Sequence, residues 1–270
     1  MKEYRFNSEQ HIHEICINGE WKPLIGTSSM SSVLSKPLTW WASGLAVEKF
    51  GWINKGNQKT GFVEKSKRLT VAKTRREEIA TMTDEEYLNL LDDAYAAHSK
   101  KLDSSAKEGT DMHALMEKYV KLCIEKYGGK PIKASTKDSK LEILVEWSIK
   151  NVKKFLWSEV HCYSKELWLG GISDVGFEDI SGNVAILDFK SSKDAYLSQF
   201  WQCVGYAIQL EENGGFTPDG DKILTLPRMV SYVCILPFGM DKPEVQYYFD
   251  MAGGKEAVSA MVLLYKKLNN

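Results

Sequence analysis

The chain has 270 residues, 43% of them hydrophobic and 26% charged, a balance that excludes disordered, collagenous and coiled-coil proteins. Lys and Arg number 35 against 36 Asp and Glu, a formal net charge of -1, so any polyanion must be met by a local patch and not by the protein as a whole. The five cysteines (Cys16, Cys123, Cys162, Cys203, Cys234) are odd in number, widely spaced and never in a CxxC pair, which argues against a disulfide framework and points to a reducing compartment.

The opening MKEYRFNSEQHIHEI has no apolar segment of the kind a secretory signal needs, and no run approaches the roughly 18 apolar residues of a membrane span. The expectation is a cytoplasmic protein with no membrane partner. IHEICINGEWKPL then alternates on both sides of Asn18-Gly19, a pair that tolerates positive φ, and predicts a tight hairpin. Thr27 to Ser35 offers capping residues before Pro37, and apolar residues recur at helical spacing from Leu38 onward. Between Gly56 and Arg76 the chain turns basic, with Lys65, Lys67, Arg68, Lys73, Arg75 and Arg76 forming a candidate phosphate-contact patch or a solvated face. Trp40, Trp41 and Trp52 lie nearby, suited either to core packing or to stacking on unpaired bases.

Thr83 to Glu86 reads as a capping box opening a helix to about Ser99, followed by helices over Gly109 to Tyr127 and about Ser139 to Leu156. Strand-like runs follow at Ser158 to Tyr163, Leu167 to Phe177 and Val184 to Lys190. A helix is expected over Asp194 to Glu212, then strands near Met229 to Leu236 and Val245 to Phe249, and a terminal helix from Lys255. This order predicts an α/β protein, a mixed β-sheet core flanked by helices. Residues 1–105 form an N-terminal hairpin and helical extension, a candidate DNA-binding region, and 106–270 form the core.

The chemistry concentrates in Gly170 to Ser192. Asp174 and Asp188 are equidistant from Ser181, in a loop-forming segment. A hairpin centred there sets the two carboxylates opposite each other, with Cβ atoms roughly 5 Å apart, and Lys190 joins that face. Facing carboxylates repel, and a hard divalent cation, Mg²⁺ or Mn²⁺, offsets that repulsion. The Lys190 ammonium beside it can orient or deprotonate a water or steady charge on phosphorus.

Two flanking motifs extend the pattern: Gly109-Thr110-Asp111-Met112-His113 on the upstream helix and Gln202-Cys203-Val204-Gly205-Tyr206 on the helix after the second strand. With the DxK strand, this order resembles the PD-(D/E)XK nuclease superfamily, in its RecB-like exonuclease branch of phage-type and mitochondrial genome-maintenance relatives. The resemblance covers Gly109 to Tyr206 and implies a restriction-endonuclease-like core. It implies metal ligation by His113, Asp174, Asp188 and the Phe189 backbone carbonyl, with Lys190 as catalytic lysine. Glu117, one helical turn beyond His113, is a further candidate for an ion or water, and Glu159 a supporting candidate behind the ligands. Gln202 and Tyr206, at i and i+4, are suited to contact a nucleotide backbone or to stack on and support the DxK strand.

The implied activity is an Mg- or Mn-dependent DNA exonuclease in recombination, repair or phage DNA processing. Its partners would be single-stranded or duplex DNA with free ends and a recombinase or single-strand-binding protein. A structure-specific endonuclease and an inactive DNA-binding module stand as alternatives. Ser173 replaces the proline that precedes the first metal aspartate in the superfamily motif. Iron-sulfur members of the branch carry a C-terminal cysteine trio, and no cysteine follows Cys234, so no cluster is expected. The absence of a GxxxxGK[ST] loop gives no reason to expect ATP.

Overall fold

The computed structural model describes residues 2–34, 39–57, 61–134, 136–239 and 242–269; Pro37, Leu38 and the Trp40 side chain, within the second predicted helical stretch, lie outside the description. The elements in chain order begin with β1 (Tyr4–Asn7), β2 (Ile12–Ile17), β3 (Glu20–Pro23), β4 (Ile25–Gly26), α1 (Thr27–Met30), α2 (Thr39–Glu48), β5 (Gly56–Asn57) and β6 (Gly61–Phe62). Four helices follow: α3 (Lys65–Ala80), α4 (Asp84–Tyr95), α5 (Ala97–Tyr127) and α6 (Ser139–Asn151). The remainder is β7 (Val152–Ser164), β8 (Leu169–Asp179), β9 (Val184–Lys190), α7 (Leu197–Asn213), β10 (Gly215–Phe216), β11 (Lys222–Leu224), β12 (Val230–Pro237), β13 (Gln246–Tyr248) and α8 (Met251–Asn269). No described helix is long and apolar enough to cross a membrane.

The chain divides into two compact units, Met1–Ser35 with Gly109–Asn270, and Lys36–Glu108. The first 35 residues group with residues 109–270. The reason is local. A strand missing from the sequence reading, β1, pairs with β2, and Tyr4 is fully buried against Tyr163 of β7, their rings stacked 5.1 Å apart.

The first unit is built on a mixed sheet of order β11-β10-β7-β8-β9-β12-β13, with β4 pairing β8. β9 and β12 run parallel through the crossover helix α7, while β7, β8 and β9 form an antiparallel meander. Alternation on β9 divides the core. Val184 and Ile186 pack with α7 and α8, whereas Ala185, Leu187 and Phe189 pack with α5 and α6. Both faces are thus apolar, as a strand inside a helix-covered sheet requires.

Two helix boundaries depart furthest from expectation. α6 ends at Asn151 and not at Leu156, because Val152, Phe155 and Trp157 enter β7 and pair with β8. α5 starts at Ala97 and not at Gly109, so that glycine lies inside the helix. A Cβ there would sit 3.0 Å from the Ser191 Cβ, tighter than usual packing, and glycine therefore lets α5 approach the chain leaving β9.

In the second unit the Thr83/Glu86 capping box forms as expected. None of the α3 residues is buried, so its basic residues ride on a solvated helix. Two of them hold structure: Arg68 Nε donates to Ile53 O at 3.0 Å and Arg75 Nε to Lys49 O at 2.8 Å. Trp41 and Trp52 are each 38% exposed, half-way between the two fates expected of them.

The Tyr4 hydroxyl lies 2.6 Å from His13 Nδ1 and 3.1 Å from His161 Nδ1. One hydroxyl proton can go to one ring only, so Tyr4 donates to one imidazole and accepts from the other. Burial, then His161 and His11, push His13 down to about 3, and burial pushes His161 down to about 4. Unfolded imidazoles take protons near pH 6.5 while the folded ones stay neutral, so stability present above that pH falls as pH drops toward about 4, by at most about 1.4 kcal/mol per pH unit for each ring. Urea midpoints measured from pH 7 to pH 4.5 should show this slope, and His13→Gln should remove about one proton from it. An unchanged slope in the variant contradicts the assignment.

Candidate metal centre

The site grows from a fork in the sheet. β8 and β9 pair through Glu178↔Val184, Phe177↔Ala185, Gly176↔Ile186 and Val175↔Leu187, and then diverge. Nearer its N-terminus β8 pairs with β4 instead, while β9 stays with β12 as far as Pro237↔Lys190. The register is centred on Ser181, as the sequence predicts, but the ladder ends one step short of setting Asp174 opposite Asp188. Asp174 fills the opening with its side chain: Phe189 N–H donates to Asp174 Oδ2 at 2.9 Å.

The other neighbour of β8 adds a third acid. Ser158↔Val175 and Val160↔Ser173 flank Glu159 and set it opposite Asp174. Glu159, Asp174 and Asp188 thus form one row across three adjacent strands. Like charges directly opposite on a sheet destabilise it, so this row needs positive charge. Glu159 also has φ 53, a left-handed conformation that a non-glycine residue adopts at a cost and that clusters at functional sites.

His113 enters from α5, where its ring meets Phe189 edge-on at 5.5 Å. Its Nε2 lies 2.9 Å from Asp174 Oδ2 and 3.8 Å from Glu159 Oε1. Glu117 joins from the next turn of α5, and His113, Glu117 and Glu159 offer ligand atoms all within 4.8 Å of one another. Glu117 is also ion-paired with Lys121. From the α7 side Lys190 Nζ meets Asp188 Oδ2 at 2.7 Å; the aspartate is only 1% exposed and the lysine 22%.

The electrostatics follow from crowding. The hydrogen bond that His113 donates to the Asp174 carboxylate raises it to about 9 against its partial burial. Burial, then the Asp174 charge, raises Glu159 to about 7. Asp188 is raised to about 7 by burial and then by Asp174, more than the Lys190 ammonium offsets. Lys190 is itself buried, which alone would lower it, but Asp188 and Asp174 together hold it above its ordinary value as an ammonium. Two carboxylates bear on this one ammonium, and it stays charged.

Gln202 and Tyr206 are buried on α7 and bonded to each other, Gln202 Nε2 donating to the Tyr206 hydroxyl at 2.6 Å. Gly171 of β8 makes room for that tyrosine, since a Cβ there would lie 2.5 Å from its ring. Burial first, then Asp188 and Asp174, raise the Tyr206 phenol well above its usual range, which places it beneath the acidic row. Of the two roles their spacing allows, the geometry favours support of the strands over surface contact.

The donor set suits a hard cation. Four carboxylates (Glu117, Glu159, Asp174, Asp188) face two ammonium groups (Lys121, Lys190) and one imidazole. A divalent cation bound among them would displace the proton that His113 otherwise holds and offset the excess of carboxylates. Glu159 Oε1 is buried with no hydrogen-bond partner among the described residues, an orphan beside His113 that a cation would satisfy. Glu159, expected only behind the ligands, thus stands among the ligand atoms.

No protein-family model matches the chain, and no curated protein matches it. Mn²⁺ titrated into the protein in a calorimeter should give a saturable heat. Asp174→Asn and Glu159→Gln should each weaken binding by about ten- to a hundredfold while thermal unfolding stays cooperative. A wild-type protein with no heat of Mn²⁺ binding contradicts the site.

Proposed function

We propose that the protein is a metal-dependent DNA exonuclease with a restriction-endonuclease-like core of the PD-(D/E)XK, RecB-like kind. The observation that carries this reading is the convergence of His113 from α5, Asp174 from β8, and Asp188 with Lys190 from β9, three separate stretches of sequence, on the fork between β8 and β9. Chance similarity of short motifs gives no reason for such residues to meet in space.

In this reading His113, Asp174, Asp188 and the Phe189 carbonyl hold Mg²⁺ or Mn²⁺, with Glu117 and Glu159 beside them, and the ion supplies charge that offsets the negative charge of the transferring phosphoryl group. Lys190, kept as an ammonium by its acidic neighbours, donates hydrogen bonds that orient the attacking water and steady charge on the phosphate oxygens. Asp188 holds that ammonium in place. Gln202 and Tyr206 brace the strands from α7. In the separate unit, Lys65, Lys67, Lys73 and Arg76 on the solvated face of α3 serve as backbone contacts, with Arg68 and Arg75 using part of their donor capacity on the preceding loop.

End-labelled linear DNA, single- and double-stranded, should be degraded with Mg²⁺ or Mn²⁺, and a closed circle should survive. Asp188→Asn and Lys190→Met should lower the rate by about a hundred- to a thousandfold or more with unchanged circular dichroism. Cleavage of the circle at the linear rate converts the reading to an endonuclease; full activity in Asp188→Asn removes the reading altogether.

A further inference from the structure

β7 reaches the acidic row with one residue too many. Phe155 pairs with Phe177 and Trp157 with Gly176, so Leu156 has no partner on β8. An unbroken register would set Ser158 opposite Asp174; the extra residue advances the strand by one and brings Glu159 there instead. The bulge therefore decides whether β7 gives the metal centre a hydroxyl or a carboxylate.

Its cause lies in the residue that follows. Trp157 is buried, and its ring takes the space of a side chain at Gly176, where a Cβ would overlap Trp157 Cη2 and Cζ2. The indole N–H donates to Ser173 Oγ at 3.1 Å, and that serine is fully buried. The ring thus spans β8 from Gly176 to Ser173, and Asp174 lies inside the span. The unbroken register would put Val175 opposite Trp157, so that a β-branched side chain would stand where the ring now crosses bare backbone. Ser173 stands where the superfamily motif has proline, which offers no side-chain acceptor, and a buried indole N–H left unpaired is costly. Upstream, Phe155 N–H donates to Gly129 O at 2.8 Å, so the strand is pinned on both sides of Leu156.

We propose that Trp157 is a positioning residue of the metal centre: seated on Gly176 and tied to Ser173, it fixes the β7 bulge and so sets Glu159 opposite Asp174. The inference rests on the metal centre of the nuclease reading above and names what brings Glu159 into it. Loss of the indole–serine bond frees β7 to slip by one residue, which turns the Glu159 carboxylate away from the row. Trp157 then acts on the cation only through Glu159.

The test is a double-mutant cycle read by Mn²⁺ calorimetry on the full-length protein, with cleavage of end-labelled linear DNA followed in parallel. Its members are the wild type, Ser173→Ala, Trp157→Phe, Glu159→Gln and the two doubles that combine Glu159→Gln with each of the others. Ser173→Ala and Trp157→Phe should each weaken Mn²⁺ binding by about tenfold. In the Glu159→Gln background neither should weaken it further by more than about twofold, because the group they position is already gone. A merely structural role lowers the unfolding temperature and leaves Mn²⁺ affinity unchanged, or lowers affinity equally in both backgrounds; either result overturns the positioning role. Should circular dichroism show Trp157→Phe unfolded, Ser173→Ala, which removes one hydroxyl, decides alone. A wild type with no Mn²⁺ heat removes the metal centre and this inference with it. Saturable heat with additive losses keeps the metal centre and removes the positioning; the coupled pattern without cleavage keeps the positioning and removes the nuclease.

Discussion

Repulsion within a row of carboxylates is the constraint around which the first unit is arranged. Glu159 and Asp174 are set opposite each other by strand register and Asp188 lies across the fork from them, in a sheet whose core is otherwise largely apolar. Hydrophobic residues at those places would serve stability better. The surrounding elements each bring a counter to the row. α5 delivers an imidazole, β9 its own lysine two residues on, and the Phe189 N–H caps the acid in the middle. Negative charge still exceeds positive in the row.

The fork gives this arrangement its shape. A continuous β8–β9 ladder would close the site with backbone hydrogen bonds, whereas divergence after Val175↔Leu187 leaves an opening that the Asp174 side chain lines. Glycines set how closely the flanking helices come. Gly109 admits α5 to Ser191, and Gly171 admits Tyr206 to β8. Substituting either would move His113 or the α7 brace by a methyl group's width, and geometry at a metal centre tolerates little of that.

Much of this was legible in the sequence because it depends on local symmetry. The register that aims Asp174 toward Asp188 follows from a two-residue period and one central loop, and the side of the sheet that Lys190 takes follows from the same alternation, whereas the fork that parts the strands one step before the two acids was not legible. The Asn18-Gly19 hairpin was legible for a similar reason, with both residues at positive φ. The place of Glu159 was not, because it depends on an irregularity between Phe155 and Trp157 that shifts the β7 register by one residue. Nor was the packing of residues 1–35 onto the sheet, since the pairing of Tyr4 with Tyr163 and two histidines joins segments far apart in the chain. The α5 boundary misled for a physical reason: an interior glycine chosen for close approach looks, in sequence, like a helix start. For α6 the β-branched and aromatic residues after Asn151 were read at helical spacing, although their partner strand decides their conformation.

The central claim is that one cation holds the acidic row together. An anomalous difference map from a crystal soaked in Mn²⁺ addresses it directly. The account requires a peak bounded by His113, Asp174 and Asp188, with the Glu159 carboxylate turned toward it; an empty map, with the three acids held by lysine and imidazole alone, contradicts it.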